Sequence, residues 1–364
     1  MALNKGEWSE IYTFLKLLGD GKLYAADANL NKIEDIYYPI INILKEEPSQ
    51  NLEFHYGSVI KVYNQNKEEI LALPIEEFQK QSLYLLEQIR SNKSKDGAFD
   101  IPEVIDFLES IKITKLKAKS KEKRDITLTV HDINTGLNPT LGFSIKSYLG
   151  NSSTIINASG KTNFLFKIEN TENLIQTEIQ RINALVNKRQ KADIKTRVKE
   201  LYKFGCKLVY NDMDDNNFKQ NLTMIDSLFP NIMGEILKIY YSAEAITVKD
   251  LLNTVTTINP CNYDLSSQHP FYEYKLKSYL TDAALGMTPG TKWSGKYDAN
   301  GGYIIVKEDG ELVCYHIYNR NEFQEYLLNN TKLETPSSSR NGFGTIFEKD
   351  GEFYIKLNLQ VRFL

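Results

Sequence analysis

The alternation of hydrophobic and polar residues begins with a helical pattern. In residues 4–18, apolar side chains recur at steps of three and four residues, which places them on one helix face. Asn4, with Glu7 three positions later, resembles the capping box that begins many helices. Similar periodicity predicts further helices at 34–46, 66–72 and 75–91, and a short one that begins at Pro102.

Residues 125–168 change to a strand pattern. Runs rich in β-branched and aromatic residues are separated by turn residues such as Gly136 and Pro139. We predict one strand that ends at Asp132 and a second strand that contains Lys146. The turn residues between them indicate a hairpin.

Helical periodicity returns in the middle of the chain, and strand patterns return near its end. Helices are predicted at about 171–203, 220–242, 247–256 and 321–329. Two further hairpins are predicted at Asp309-Gly310 and Asp350-Gly351, because Asp-Gly is a frequent hairpin turn.

This order of elements predicts a mixed α/β (α+β) protein. We expect a core over 1–170 that includes the first helix and the hairpin, a helical segment over 171–260, and a β-rich part over 261–364. A single compact domain is the alternative.

Composition narrows the class of protein. The net charge of −3 argues against a protein that coats nucleic acid by bulk positive charge, but it leaves a local basic groove open. Three widely spaced cysteines fit neither a disulfide framework nor a thiolate zinc site, which indicates a reducing compartment. We find no signal peptide and no apolar run long enough for a bilayer, so we expect a cytoplasmic protein without a membrane partner.

A basic stretch lies at 112–124, where seven lysine and arginine side chains accompany one acid. It is either a solvated strand end and loop or an edge that contacts phosphate.

The hairpin carries residues that suit phosphodiester cleavage, which needs a metal held by oxygen ligands, an activated water and a nearby positive charge. A recurrent nuclease arrangement has an Asp at the end of one strand and an acid-x-Lys on its neighbour. Asp132 continues an apolar stripe, where a carboxylate is costly unless it is compensated. Ser144 and Lys146 share one face of the next strand, so the acid position holds a serine.

A glutamate from the first helix could supply the missing carboxylate. Both Glu7 and Glu10 are candidates, and the Gly-x-x-x-Glu start of this helix favours Glu10. The alternative for Glu7 is a role in the helix cap alone. On spacing alone, an exposed turn aspartate and a surface lysine explain Asp132 and Lys146 at least as well.

Longer phrases of the sequence resemble the HpaII-type restriction endonucleases. These phrases are "NKGEWSEIYTFLKLL", "GFSIKSYLG" followed by "TIINASGKTNF", and "NTKLETPSSSRNGFG" with "YIKLNLQVRF". They stand in order from the first residues to the last, so the resemblance covers the whole chain.

The resemblance implies a PD-(D/E)xK-like core and a Mg²⁺-dependent type II enzyme that cuts both strands of short palindromic DNA, with C-C-G-G as the associated site. Asp132 would bind the metal, and Lys146 would orient the water or stabilise developing charge. Glu10 or Glu7, together with the Ile145 carbonyl, would complete the ligands. Ser144 departs from the pattern and leaves the number of metal ions open.

The resemblance also implies double-stranded DNA as partner and a separate methyltransferase that protects the same site. A two-fold symmetric target suggests a homodimer, and a monomer, as in some enzymes of this class, is the alternative. Arg340 is the candidate for contact with guanine or phosphate. The further DNA-binding candidates are Lys332, Ser337, Ser338, Ser339, Asn157, Ser159 and Lys161. An ordinary turn is the alternative for each of these segments.

Two other functions remain open at this point. Ser144 is compatible with a DNA-binding protein that has lost catalysis. The same chemistry would also serve a DNA-repair or structure-specific nuclease.

Overall fold

The computed structural model describes residues 2–92, 97–115, 123–133, 135–242 and 245–364. They form two units, of which unit 1 comprises Met1–Ser153 with Lys296–Tyr326, and unit 2 comprises Thr154–Gly295 with Leu327–Leu364. The boundaries expected at 170 and 260 both lie inside unit 2. Most of the basic stretch, 116–122, lies outside the described residues.

Helices and strands alternate in groups along the chain. Their order is α1 (Lys5–Asp20), β1 (Lys22–Ala26), β2 (Lys32–Glu46), β3 (Asn51–His55), β4 (Ile60–Tyr63), β5 (Glu69–Leu73), α2 (Ile75–Ser91), α3 (Pro102–Ser110), β6 (Ile126–Val130), β7 (Thr140–Ser147), β8 (Thr154–Ile156), β9 (Asn163–Glu169), α4 (Gln176–Asn183), α5 (Ile194–Lys203), β10 (Lys207–Met213), α6 (Asn216–Ile225), α7 (Phe229–Ser242), α8 (Val248–Ile258), α9 (Phe271–Leu285), β11 (Gly302–Val306), β12 (Leu312–His316), α10 (Arg320–Asn329), β13 (Thr331–Leu333), α11 (Ser338–Asn341), β14 (Ile346–Lys349), β15 (Glu352–Asn358) and β16 (Val361–Phe363). The mixed α/β class is confirmed.

Unit 1 is built on a nine-stranded sheet in the order β1-β12-β11-β7-β6-β2-β3-β4-β5. The β11–β7 and β1–β12 pairs are parallel, and the other pairs are antiparallel. Buried side chains of α1 and of the central strands form one core, with Leu15, Phe54, Leu128 and Phe143 among its fully buried members.

The first helix begins and ends as the sequence predicts. The Asn4 side chain accepts a hydrogen bond from the Glu7 N–H at 3.0 Å, and the Glu7 carboxylate accepts one from the Asn4 N–H at 2.8 Å. The helix ends at Gly21, whose φ of 68° suits the left-handed cap that glycine favours. The capping box and the apolar face of α1 are therefore confirmed.

The helices predicted at 34–46 and 66–72 are wrong, because β2 and β5 occupy these positions. The β2–β6 pairing shifts register between Ile40 and Asn42. This bulge separates the buried Ile40 and Ile43 by three residues instead of two, which gives a strand the spacing of a helix face. The helices predicted at 75–91 and after Pro102 are confirmed as α2 and α3.

Unit 2 combines helices with two sheets, one in the order β10-β9-β15-β14 and one in the order β13-β16-β8. The hairpin turn at Asp350-Gly351 is confirmed, with φ of 54° and 77° at these two residues. The sequence did not predict β10 or α9. Within the described residues, no helix is both long and apolar enough to cross a membrane.

The helix cap predicts a measurable loss of stability. Replacing Asn4 by Ala removes the side-chain acceptor for the Glu7 N–H, and it should lower the free energy of unfolding by about 1 kcal/mol. Asn4→Asp keeps an acceptor and serves as the control. Urea denaturation followed by circular dichroism measures the difference, and equal midpoints for the two variants would argue against the cap.

Candidate active site

The pairing of β6 with β7 determines which residue of β6 lies opposite Ser144. Its antiparallel register pairs Ile126 with Phe143 and continues to Thr129 with Thr140. In an antiparallel hairpin, the start of the first strand lies opposite the end of the second. The residue that faces Ser144 is therefore Asp125, whose N–H donates to the Phe143 carbonyl at 2.8 Å.

The carboxylate of Asp125 is held by two donors of β7. Its Oδ2 accepts the Ile145 N–H at 2.6 Å and the Ser144 hydroxyl at 3.0 Å. The side chain thus takes the place of a backbone acceptor just where β6 begins. Ser144 is buried and orients this carboxylate. Asp125, rather than the residue at position 144, therefore supplies the carboxylate at this point of the β6–β7 pair.

Lys146 shares the Ser144 face of β7. Tyr303 of the parallel strand β11 pairs with Ser144 in register and is buried. The Lys146 ammonium lies 5.5 Å from the centroid of the Tyr303 ring. An aromatic face at this distance stabilises a cation, so the tyrosine helps to hold Lys146 on this face of the sheet.

Glu10 projects from α1 into the same group of charges. Burial is the first cause that raises its pKa to about 8, and the negative charge of Asp125 is the second. The positive charges of Lys45 and Lys146 act in the opposite direction. A carboxyl that is protonated at neutral pH beside a second carboxylate is typical of a functional site.

Two further lysines belong to this group, and neither is among the site residues predicted from the sequence. Lys45 follows Ile43 by two positions on β2, and its ammonium lies 5.9 Å from the ring centroid of Phe14, one turn after Glu10. Burial lowers the pKa of Lys45. Burial and the charge of Lys146 lower the pKa of Lys123 to about 8.

Asp132 lies at the other end of the hairpin. It is seven residues beyond Asp125, a distance on the order of 20 Å along a strand. Its Oδ2 accepts hydrogen bonds from the hydroxyls of Tyr318 at 2.7 Å and Thr135 at 2.6 Å, and its side chain is buried there.

The structure therefore does not bring Asp132 to Lys146 and Glu10, and Asp125 stands where Asp132 was expected. The alternation of side chains correctly placed Ser144 and Lys146 on one face of β7. It placed Asp132 with Ile126 and Leu128, however, whereas Asp125 lies on the opposite face of β6, with Ser144. The signal that was missed is the hairpin itself, because its pairing places the residue opposite Ser144 nineteen positions earlier in the chain.

Glu7 is engaged in the helix cap, and its charge is the smallest of the causes that raise the pKa of Glu10. Ile145 donates its N–H to Asp125, while its side chain joins the core. Of the two glutamates, Glu10 is the one that the structure places among the site charges.

Two groups of predicted DNA-binding residues meet in unit 2. The first group, Asn157, Ser159 and Lys161, surrounds a short 3₁₀ turn that Ser159 caps. The second group, Ser337, Ser338, Ser339 and Arg340, lies at α11, where Arg340 is exposed. Asn163 joins them, since its side chain donates to the Asn341 carbonyl at 2.9 Å just after the 3₁₀ turn.

Lys332 lies elsewhere in unit 2. It is on β13, where it pairs with Arg362 of β16 and bridges to Thr247. The described contacts do not connect it with Arg340.

The ligand atoms of the candidate site fit a hard divalent cation whose coordination shell is completed by the substrate. Within the described ranges, no three His, Cys, Asp or Glu side chains converge as a metal cluster. Mg²⁺ is usually held by one or two carboxylates together with waters and substrate phosphates. Asp125 and Glu10 supply two carboxylates, and the mutual repulsion that raises the pKa of Glu10 is what a cation between them would relieve.

Comparisons with known proteins agree over the whole length of the chain. A family model described as HpaII restriction endonuclease matches residues 4–363. The chain is 46% identical over 365 residues to the type II restriction enzyme HpaII of Haemophilus parainfluenzae, with 99% of this chain and 98% of that protein covered. No solved structure gives a significant match.

The proximity of Asp125 and Glu10 predicts a specific change in titration. Asp125→Asn removes the negative charge beside Glu10, and the pKa of Glu10 should fall by on the order of one unit from its value of about 8. Asp132→Asn is the matched control and should leave that pKa unchanged. Carbon-13 NMR of protein with labelled glutamate carboxyls measures both, with Glu10→Gln to assign the resonance.

Proposed function

This chain belongs to the HpaII restriction endonuclease family and is a type II restriction endonuclease, and we propose that it hydrolyses both strands of DNA at C-C-G-G sites with Mg²⁺ as cofactor. The observation that carries the site assignment is the Asp125 carboxylate, fixed by Ser144 and Ile145 in one group of charges with Lys146 and Glu10.

The proposed core is of the PD-(D/E)xK type. Two features support this proposal: an aspartate at the start of one strand of an antiparallel pair, and a Ser-x-Lys on the other strand. Glu10 of α1 takes the role of the acid that the Ser-x-Lys lacks. In this arrangement Asp125 replaces Asp132 as the proposed metal ligand.

Asp125, Glu10 and the Ile145 carbonyl would hold the cation. When bound, a divalent cation polarises the scissile phosphate and lowers the pKa of the attacking water. Glu10 carries a proton at neutral pH in the metal-free protein and would have to lose it to serve as a ligand.

Lys146 is the proposed cation for the reacting phosphate. Its ammonium lies 5.5 Å from the centroid of the Tyr303 ring and belongs to the group of charges around Glu10, so it can orient the water or stabilise the charge that develops on the phosphoryl oxygens. Lys45 and Lys123 add positive charge to the same group.

Recognition of the target is assigned to unit 2. Arg340 is exposed on α11, where its planar guanidinium can reach guanine O6 and N7 or a phosphate. Ser337, Ser338, Ser339, Asn157, Ser159 and Lys161 are the proposed neighbours in that interface. The proposal also includes a homodimer on a palindromic site, a separate methyltransferase that modifies this site, and action in the cytoplasm.

The first experiment incubates the purified protein with unmethylated bacteriophage DNA, with Mg²⁺ or with EDTA. Discrete Mg²⁺-dependent fragments whose ends map to C-C-G-G would support the proposal. Random fragments would indicate a structure-specific nuclease, and intact DNA from folded protein would indicate binding alone.

The site assignment predicts which variants lose cleavage. Asp125→Asn and Lys146→Ala should each lower the single-turnover cleavage rate by about 10²–10³-fold or more, because each removes a charge next to the reacting phosphate. Asp132→Asn should cleave within a few-fold of wild type. Quenched-flow cleavage of a C-C-G-G duplex measures the rates, and duplex binding in Ca²⁺ checks that each variant is folded. Normal cleavage by Asp125→Asn would refute the assignment.

The raised pKa of Glu10 predicts two opposite pH dependences. The folded metal-free protein retains a proton that the unfolded chain has released, so its stability should fall as pH rises from about 4.5 to about 8. The affinity for Ca²⁺ should instead rise over this range, by up to about tenfold per pH unit, because the cation competes with one proton. Glu10→Gln should weaken both dependences. Melting temperatures and calorimetric titrations at pH 5, 6.5 and 8 measure them.

A further inference from the structure

We propose that residues 288–293 form a further DNA-binding loop of this enzyme, in which Lys292 contacts the phosphate backbone and Asn221 is the positioning residue. The inference rests on the proposed function, since it concerns the same duplex. It adds a segment that the sequence did not single out.

The loop is exposed but anchored. Lys292 is exposed, whereas Asn221 of α6 is buried beneath the loop. The Asn221 amide donates to the carbonyls of Thr288 at 3.2 Å and Thr291 at 2.8 Å, and its oxygen accepts the Trp293 N–H at 3.0 Å. One buried side chain therefore fixes three points of the loop. A loop that is already ordered loses less entropy on binding.

The loop adjoins the proposed DNA-binding residues. The Lys161 ammonium donates to the Gly290 carbonyl at 3.4 Å. Any side chain at Gly290 would crowd this contact, because a Cβ atom there would lie 2.7 Å from the Lys161 nitrogen. The loop thus shares one surface with the 3₁₀ turn.

Two more buried asparagines extend this surface to α11. The Asn358 amide donates to the Ser159 carbonyl at 2.7 Å and to the Asn163 side-chain oxygen at 2.6 Å, and Asn163 donates to Asn341. We call the combined surface of residues 157–161, 288–293 and 337–342 the three-loop surface.

The charge of the three-loop surface fits a polyanion. Its segments contain Lys161, Lys292 and Arg340, all exposed, and no aspartate or glutamate. The adjacent acid Asp214 forms an ion pair with Lys356 at 2.9 Å. Hydroxyl and amide groups make up most of the remaining polar side chains, and these are the usual donors to phosphate in protein–DNA interfaces. Such a surface in a chain of net charge −3 favours the backbone of duplex DNA.

The first test measures the salt dependence of DNA binding. Wild type, Lys292→Ala and Lys207→Ala bind a C-C-G-G duplex in Ca²⁺ at several salt concentrations. Lys207 is an exposed lysine at the first residue of β10. It lies six residues, and thus about 20 Å along the strand, from Met213 at the other end. Lys292→Ala should bind more weakly, and its slope of log K against log salt should be smaller by about 0.9. Lys207→Ala should retain both values.

The second test uses the two tryptophans of the chain. Trp8 is completely buried in unit 1, and Trp293 is half-exposed at the end of the loop. The tryptophan fluorescence of the wild type should change when the duplex binds, and this change should be lost in Trp293→Phe. A change that persists in Trp293→Phe, or its absence at saturating duplex in wild type, would overturn the proposal.

Asn221 is tested as a positioning residue. Asn221→Ala should weaken duplex binding and alter the fluorescence change, while the salt slope stays near that of wild type because no charge is lost. Its cleavage rate at saturating duplex should remain close to wild type. A melting curve shows that the variant is folded, and unchanged affinity in folded protein would count against the anchoring role.

The outcomes separate this inference from the proposed function. If wild type cleaves C-C-G-G while Lys292→Ala keeps its affinity and salt slope, the loop proposal alone fails. If the protein binds through the loop but cuts no DNA, the proposed function alone fails.

Discussion

The hydrogen bonds from Ile145 and Ser144 to the Asp125 carboxylate are the interactions on which the candidate site depends. They exist because β6 and β7 pair in one register, and a shift by one residue would turn Asp125 to the opposite face. The hydrophobic side chains on the other face, Ile126 and Phe143, belong to the core that includes α1. Burial of that face thus secures the position of the carboxylate, and the same core holds the helix that carries Glu10.

The serine in the Ser-x-Lys pattern has a physical explanation in this arrangement. A carboxylate at position 144 would lie opposite Asp125 and would repel it within a buried site. The hydroxyl of Ser144 instead donates to Asp125 and leaves the second negative charge to Glu10, which arrives from α1. With a serine at position 144, α1 instead of β7 supplies the second carboxylate. This arrangement is compatible with retained catalysis.

The elements that depend on a few adjacent residues were predicted correctly from the sequence. The predictions were wrong where the structure depends on the pairing of distant strands. The capping box of α1 and the Asp350-Gly351 turn depend on a few adjacent residues, and both were predicted correctly. The bulge in β2 is a property of its pairing with β6, so the spacing of Ile40 and Ile43 was misread as a helix. In the site, Lys146 and Glu10 were predicted from pattern and resemblance, and the structure places them in one group of charges. Asp125 was missed because the apolar stripe of β6 pointed to Asp132, and only the pairing register shows that Asp125 faces Ser144.

The two proposed sites hold their residues in place by different means, and each suits its ligand. In unit 1, Asp125, Glu10 and three lysines form a group in which Glu10 is neutral at pH 7 and Lys123 has a pKa of about 8. Burial is the first cause of both pKa shifts, and a cation bound beside Glu10 would favour its ionised form. In unit 2, neutral buried amides fix the loops, so the exposed lysine and arginine charges are left without a nearby acid in their own segments. Neutral anchors suit the three-loop surface because they hold its shape without cancelling the positive charge that attracts DNA.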